Sequence, residues 1–226
     1  MTINQNMTQL AQKYNKIDSD VLKLAIDKIK AERDSLALQK GETVKILEEK
    51  VQAVFNPVFD VVTRKIELEN QGEITRHIVR HAPCVSILVF DPQTLTFSLG
   101  YEYRSGVNQY RWGNAAGFID SNETPLDAAA RELEEELGLV SSKDLKKIGV
   151  ISSSEGFTDE EVFIYYAEGP FDKKPTRFDS DEYVELKELT LEEFRSKVEE
   201  GIIRSAPTVT SFYWFMINKY EEFYKQ

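Results

Sequence analysis

Gly117-Phe118-Ile119-Asp120-Ser121-Asn122-Glu123-Thr124-Pro125-Leu126-Asp127-Ala128-Ala129-Ala130-Arg131-Glu132-Leu133-Glu134-Glu135-Glu136-Leu137-Gly138-Leu139 is the stretch on which the reading of this chain turns. It describes a loop feeding a helix. Thr124 is placed to cap the helix, Pro125 suits its first position, and Asp127 stands where a capping-box acid reaches back. Gly138 suits the C-terminal cap. Leu126, Ala129, Ala130, Leu133 and Leu137 supply an apolar face.

The polar side of that helix is unusual. Glu132, Glu135 and Glu136 fall three and four positions apart, so their carboxylates share one face. Like charges at that spacing repel, and acids in a last turn oppose the helix dipole. A hard divalent cation would reverse both penalties, because Mg²⁺ and Mn²⁺ take oxygen ligands. A solvated acidic surface is the competing reading of the glutamates by themselves.

The full spacing decides between them. The stretch satisfies G-x5-E-x7-R-E-U-x-E-E-x-G-U, with U a bulky aliphatic residue, at every fixed position. In this it resembles the Nudix hydrolase family. The resemblance implies a loop-helix-loop that holds Mg²⁺ or Mn²⁺ against a diphosphate. Glu132 and Glu136 would be the principal metal ligands, with Glu135 assisting and the carbonyl of Ala116 as a backbone ligand. Arg131 would orient the glutamates, and Glu123 would be structural. Metal ions on a diphosphate offset developing charge and lower the pKa of a bound water, so no covalent nucleophile is needed.

Outward from the box, from about Val58 to Trp214, the chain is similar to the ADP-ribose and nucleoside diphosphate-sugar pyrophosphatase branch. Arg76 and Arg104 match arginines that hold the substrate, and Gly117 is counted with them as substrate-binding. Arginine suits phosphate and ribose through paired hydrogen bonds. Ser154-Glu155-Gly156-Phe157-Thr158-Asp159-Glu160 resembles the S-P-G-x-x-x-E loop, which puts Glu160 in the acid position. Asp181-Glu182-Tyr183 stands where a mobile loop supplies a base or positions water. Glu182 is the best match there, with Asp181 and Glu160 as alternatives. The catalytic set implied is Glu135, Glu182, Arg131 and Glu160.

The implied reaction is hydrolysis of ADP-ribose to AMP and ribose 5-phosphate. Two departures leave a UDP- or GDP-sugar open. Glu155 replaces the usual proline, and Trp112-Gly113-Asn114-Ala115-Ala116-Gly117 replaces W-E-x-P-A-G. A non-catalytic ligand-sensing module on the same scaffold is the rival from another class. Members of this branch are commonly homodimers sharing N-terminal strands, so a homodimer is expected.

The remaining chain supports an α/β class, with an α/β/α sandwich around a mixed sheet. Residues 1–50 read as a helical N-terminal extension, with an N-cap at Asp18-Ser19, an apolar stripe of Val21, Leu22, Ala25, Ile26 and Ile29, and Gly41 as terminator. Residues 51–226 read as the hydrolase domain. Strands are predicted over 58–67, 74–81, 85–90, 96–103, 146–152 and 162–167, and helices over 189–200 and from about 208. His77 and His81 read as strand residues, with His81 a weaker binding candidate. Cys84 reads as a small strand residue without a chemical role.

Composition narrows the partners. Of 226 residues 41% are apolar and 30% charged, with a formal net charge of -11. That balance speaks against unassisted binding to nucleic acid or anionic membranes. The apolar runs are too short to span a bilayer, no secretory signal is visible, and the single cysteine fits a reducing cytoplasm. The expected partner is a small nucleotide sugar.

Overall fold

The computed structural model describes residues 44–55, 59–69, 71–177 and 183–224. These divide into two compact units: the chain up to Ala82 together with Ser154–Asp159, and Pro83–Ser153 together with Glu160 onward. Among the described residues no helix is long and apolar enough to cross a membrane.

The first unit is an antiparallel meander of β1 (Lys45–Phe55), β2 (Phe59–Leu68) and β3 (Gly72–His81), in that order. It is pinned by charge. Asp60 and Arg80 face each other in register. Arg80 grips Asp60 through Nε at 2.9 Å and Nη2 at 2.7 Å, while its Nη1 donates to Glu49 at 2.8 Å. Burial works against the Arg80 charge, but its hydrogen bonds to Asp60 and the charge of Asp60 outweigh it and hold the guanidinium above its ordinary value. The Ser154–Asp159 loop joins β3: Val79 donates to the Phe157 carbonyl at 2.7 Å, and the His81 N–H donates to Asp159 Oδ1 at 3.0 Å.

β1 corrects the expectation of helix up to residue 50. Lys45 to Lys50 form ladder pairs with β2 from Glu67 back to Thr63. Their helical pattern yields because the ladder satisfies their backbone groups, and pairing partners outweigh local propensity. The helical reading of residues 1–43 lies outside the described residues.

The second unit holds the mixed α/β sheet. Its strands are β4 (Cys84–Asp91), β5 (Thr96–Arg104), β6 (Gln109–Gly113), β7 (Ala115–Phe118), β9 (Lys146–Ser152), β10 (Glu161–Glu168) and β12 (Val184–Thr190). The order is β12-β5-β4-β10-β9, with β6 beside β5 and β7 beside β4. β4 and β10 pair in parallel, and both are near-continuous apolar runs, as strands covered on two faces must be. β8 (Leu139–Ser141) and β11 (Phe171–Lys173) form a separate two-stranded ribbon.

Leu88 and Phe90 of β4 join the larger aromatic core, with Phe97, Phe194, Phe212 and Phe215. That core is closed by α2 (Leu191–Glu199), α3 (Ala206–Asn218) and the short α4 (Tyr220–Tyr224). By strand alternation, buried Val85, Ile87 and Val89 face the other way, where α1 (Pro125–Leu137) packs on β4 and β7. α2 starts at Leu191 rather than Leu189, since Thr190 caps it in a capping box with Glu193 and Leu189 stays in β12. α3 starts at Ala206, ahead of the expected position near Thr208.

Candidate active site

α1 begins and ends as its sequence dictates. Thr124 Oγ1 accepts from Asp127 N at 3.2 Å, and Asp127 returns a carboxylate oxygen to Thr124 N at 3.3 Å. Gly138 takes φ +63, and a Cβ there would strike the Lys174 carbonyl, so glycine is required. Ala128, Ala129, Leu133 and Leu137 go into the core.

The glutamates then divide by direction. Glu134 points away and is taken by Lys174 Nζ and Arg177 Nη2, each at 2.9 Å. Glu132 and Glu136 are 9% and 6% exposed, which is rare for carboxylates and marks them as built into the site. Glu136 Oε2 accepts the Ala116 N–H at 3.0 Å. Glu132 lies across Gly117, where a built Cβ would overlap its Oε1 and Cδ. β7 therefore presents bare backbone to two carboxylates.

Arg131 ties the cluster together. Its Nε and Nη2 fork onto Glu123 at 2.7 and 2.9 Å, and Nη2 also donates to the Phe118 carbonyl at 2.9 Å. Nη1 donates to Glu132 at 2.6 Å and to Glu135 at 3.1 Å. The Glu123 hydrogen bonds, opposed by burial, raise Arg131 above its ordinary value. Arg131 in turn holds the Glu123 carboxyl below the usual range. Glu123 thus fixes a guanidinium that fixes two further acids.

Glu132, Glu135 and Glu136 are a set of hard oxygen donors, the kind that a divalent cation takes. The bare Gly117 cradle keeps Glu132 within that set.

Other predicted residues are placed as follows. Arg104, on β5, pairs with Glu102. Glu160 accepts from the Cys84 thiol at 3.8 Å. Burial first, then the charge of Glu160, pushes Cys84 up to about 12, with Glu132 and Arg104 also within electrostatic reach. Cys84 therefore belongs to the site's surroundings, a contact its sequence position did not signal. Arg76 lies in the first unit and donates to the Thr75 carbonyl at 3.0 Å. His77 Nδ1 meets Thr63 Oγ1 at 3.2 Å, and His81 stacks on Phe59, both in the first unit. Asp181 and Glu182 lie outside the described residues.

A profile of the NUDIX domain matches residues 80–211, more than half of the chain. The chain belongs to the Nudix hydrolase family. The ADP-ribose pyrophosphatase of Bacillus subtilis (strain 168) is 31% identical over 181 residues, covering 78% of this chain and 97% of that protein. The methanol dehydrogenase activator of Bacillus methanolicus is 30% identical over 155 residues, covering 68% and 83%. A solved ADP compounds hydrolase shares the Nudix fold with a TM-score of 0.67 at 20% identity, over 82% of this chain and 97% of that one. The Nudix box of this hydrolase is the loop and helix from Gly117 to Leu139.

Proposed function

We propose that this Nudix hydrolase cleaves the pyrophosphate bond of ADP-ribose, with water, to AMP and ribose 5-phosphate. The observation that carries the reading is the buried pair Glu132 and Glu136 beside the β7 backbone, Glu132 held by Arg131 over Gly117 and Glu136 by the Ala116 N–H. Similarity to the B. subtilis ADP-ribose pyrophosphatase, over nearly its whole length, supports the substrate class.

Glu132, Glu136 and the Ala116 carbonyl hold Mg²⁺ or Mn²⁺ in this account, with Glu135 assisting. A cation bound there would supply charge neutralisation for the diphosphate oxygens and would lower the pKa of a bound water. Arg131 holds Glu132 and Glu135 in place, so their geometry is set before substrate arrives. Arg104 holds phosphate or ribose, and Gly117 leaves room for the Glu132 carboxylate. Glu182, or in its place Asp181 or Glu160, takes the proton from water. The chain acts as a homodimer in the cytoplasm, and light scattering showing a monomer at micromolar concentration would refute the dimer.

The test is a hydrolysis panel with Mg²⁺ and with Mn²⁺. ADP-ribose, UDP-glucose, GDP-mannose and nucleoside triphosphates are offered, and products are separated by chromatography. AMP and ribose 5-phosphate from ADP-ribose alone support the reading. Preference for another nucleotide sugar would replace the substrate. A folded protein that binds one of these ligands without turnover would make it a sensing module.

A further inference from the structure

The joint between β6 and β7 is built from polar groups that the chemistry above leaves unused. β4 and β5 pair from Val89 and Ser98 toward their shared turn, and farther along β7 pairs with β4 and β6 with β5. Asn114 is the one residue between β6 and β7, and it is 3% exposed. Its backbone N–H donates to Thr208 Oγ1 at 3.1 Å. Its Nδ2 donates to Ser86 Oγ and to Ser211 Oγ, each at 3.0 Å. Ser211 Oγ donates onward to the Thr208 carbonyl at 2.9 Å, and both residues are buried on the first turns of α3.

Asn114 Oδ1 is enclosed and has no hydrogen-bond partner among the described residues. Enclosing such an atom costs stability, so packing by itself gives no reason for asparagine here. Location does. Two residues on, the Ala116 N–H holds Glu136, and at the next residue the Glu132 carboxylate fills the Gly117 cradle. β7 is only four residues long, so a fixed point at one end governs both contacts.

We propose that Asn114 is a positioning residue: it bolts the start of β7 to Thr208 and Ser211 of α3 and to Ser86 of β4, and so sets where the Ala116–Gly117 backbone meets Glu132 and Glu136. The proposal rests on the reading of those glutamates as a divalent-cation site. Substitution should therefore weaken cation binding more than it weakens the fold. Polar groups that orient metal ligands are commonly worth about 10- to 100-fold in metal affinity.

The test measures Mn²⁺ binding to the full chain by the electron-spin resonance of free Mn²⁺, with thermal melting of the same samples. Asn114→Ala removes the bolt's side chain. Thr208→Val keeps the shape of α3 while deleting the acceptor for the Asn114 N–H, and it serves if Asn114→Ala does not fold. Expected are a Mn²⁺ dissociation constant raised about tenfold in Asn114→Ala, a smaller rise in Thr208→Val, and turnover that returns toward the wild-type rate as Mn²⁺ is increased. Wild-type Mn²⁺ affinity in the folded variants overturns the proposal, whatever their melting temperatures. Absence of Mn²⁺ binding by the unaltered protein overturns the cation site itself, a different failure read from a different sample.

Discussion

The Glu132 carboxylate occupies the space that a side chain on Gly117 would need. The acid cannot simply step aside, because Arg131 holds it at 2.6 Å and its surroundings are buried. Gly117→Ala is therefore expected to displace Glu132 or the β7 backbone while leaving the sheet formed. A shift near 1 Å at a site of this kind costs about 100-fold in rate. Turnover measured at saturating substrate should fall by about that factor with an unchanged far-ultraviolet dichroism spectrum, and wild-type turnover would contradict the packing argument.

Glu123 gives a pH dependence with a definite sign. Hydrogen bonds from Arg131, against the opposing effect of burial, hold its carboxyl below the ordinary value of 4.5. A folded-state value below the unfolded one contributes stability that is complete above the unfolded value and fades as pH falls through the folded one. Urea denaturation should show wild type more stable than Glu123→Gln near neutrality, with the gap closing below pH about 4.5. A gap that stays constant into acid would remove Glu123 from the account.

Much of this was legible in the sequence for a simple reason: the box is local. Thr124, Asp127, Gly138, Arg131 and the glutamates sit within one loop and helix, where spacing determines facing. β4, β5, β9 and β10 of the second unit were legible for the same reason, as strand-like runs bounded by turns. What was not legible depends on distant partners. Lys45 to Lys50 are a strand because β2 pairs with them. β6 and β7 are short, β7 is mostly small residues, and they become strands because β5 and β4 pair with them. The contacts of Asn114 with Thr208 and Ser211 span more than ninety residues of sequence. The Cys84 contact with Glu160 depends on the parallel pairing of β4 with β10, which no local pattern announces.

The Cys84 thiol offers a further check. Burial, reinforced by the charge of Glu160, pushes it up to about 12. The thiolate is the reactive form, so at pH 8 the folded protein should react with a thiol-exchange reagent about a thousandfold more slowly than the unfolded chain. Rapid stoichiometric reaction of the native protein would show that Cys84 is neither enclosed nor held by Glu160.

Phe215 tests the aromatic core on which the sheet rests. It is fully buried, with ring centroids 4.8 Å from both Phe90 and Phe97. Phe215→Ala should cost about 3–5 kcal/mol in urea denaturation with an unchanged dependence on urea. A cost under about 1 kcal/mol would mean that the α3 face carries little of the stability.

The most direct test of the central claim is the initial rate of AMP formation from ADP-ribose with Mg²⁺, compared between wild type and Glu136→Gln at matched fold. Glu136 is buried, contacts the Ala116 N–H at 3.0 Å, and loses only its charge in the substitution. The account predicts Mg²⁺-dependent AMP release by the wild type, and a loss of at least about 100-fold in the variant. Equal rates in the two proteins, or wild-type hydrolysis that persists undiminished in excess chelator, would contradict it.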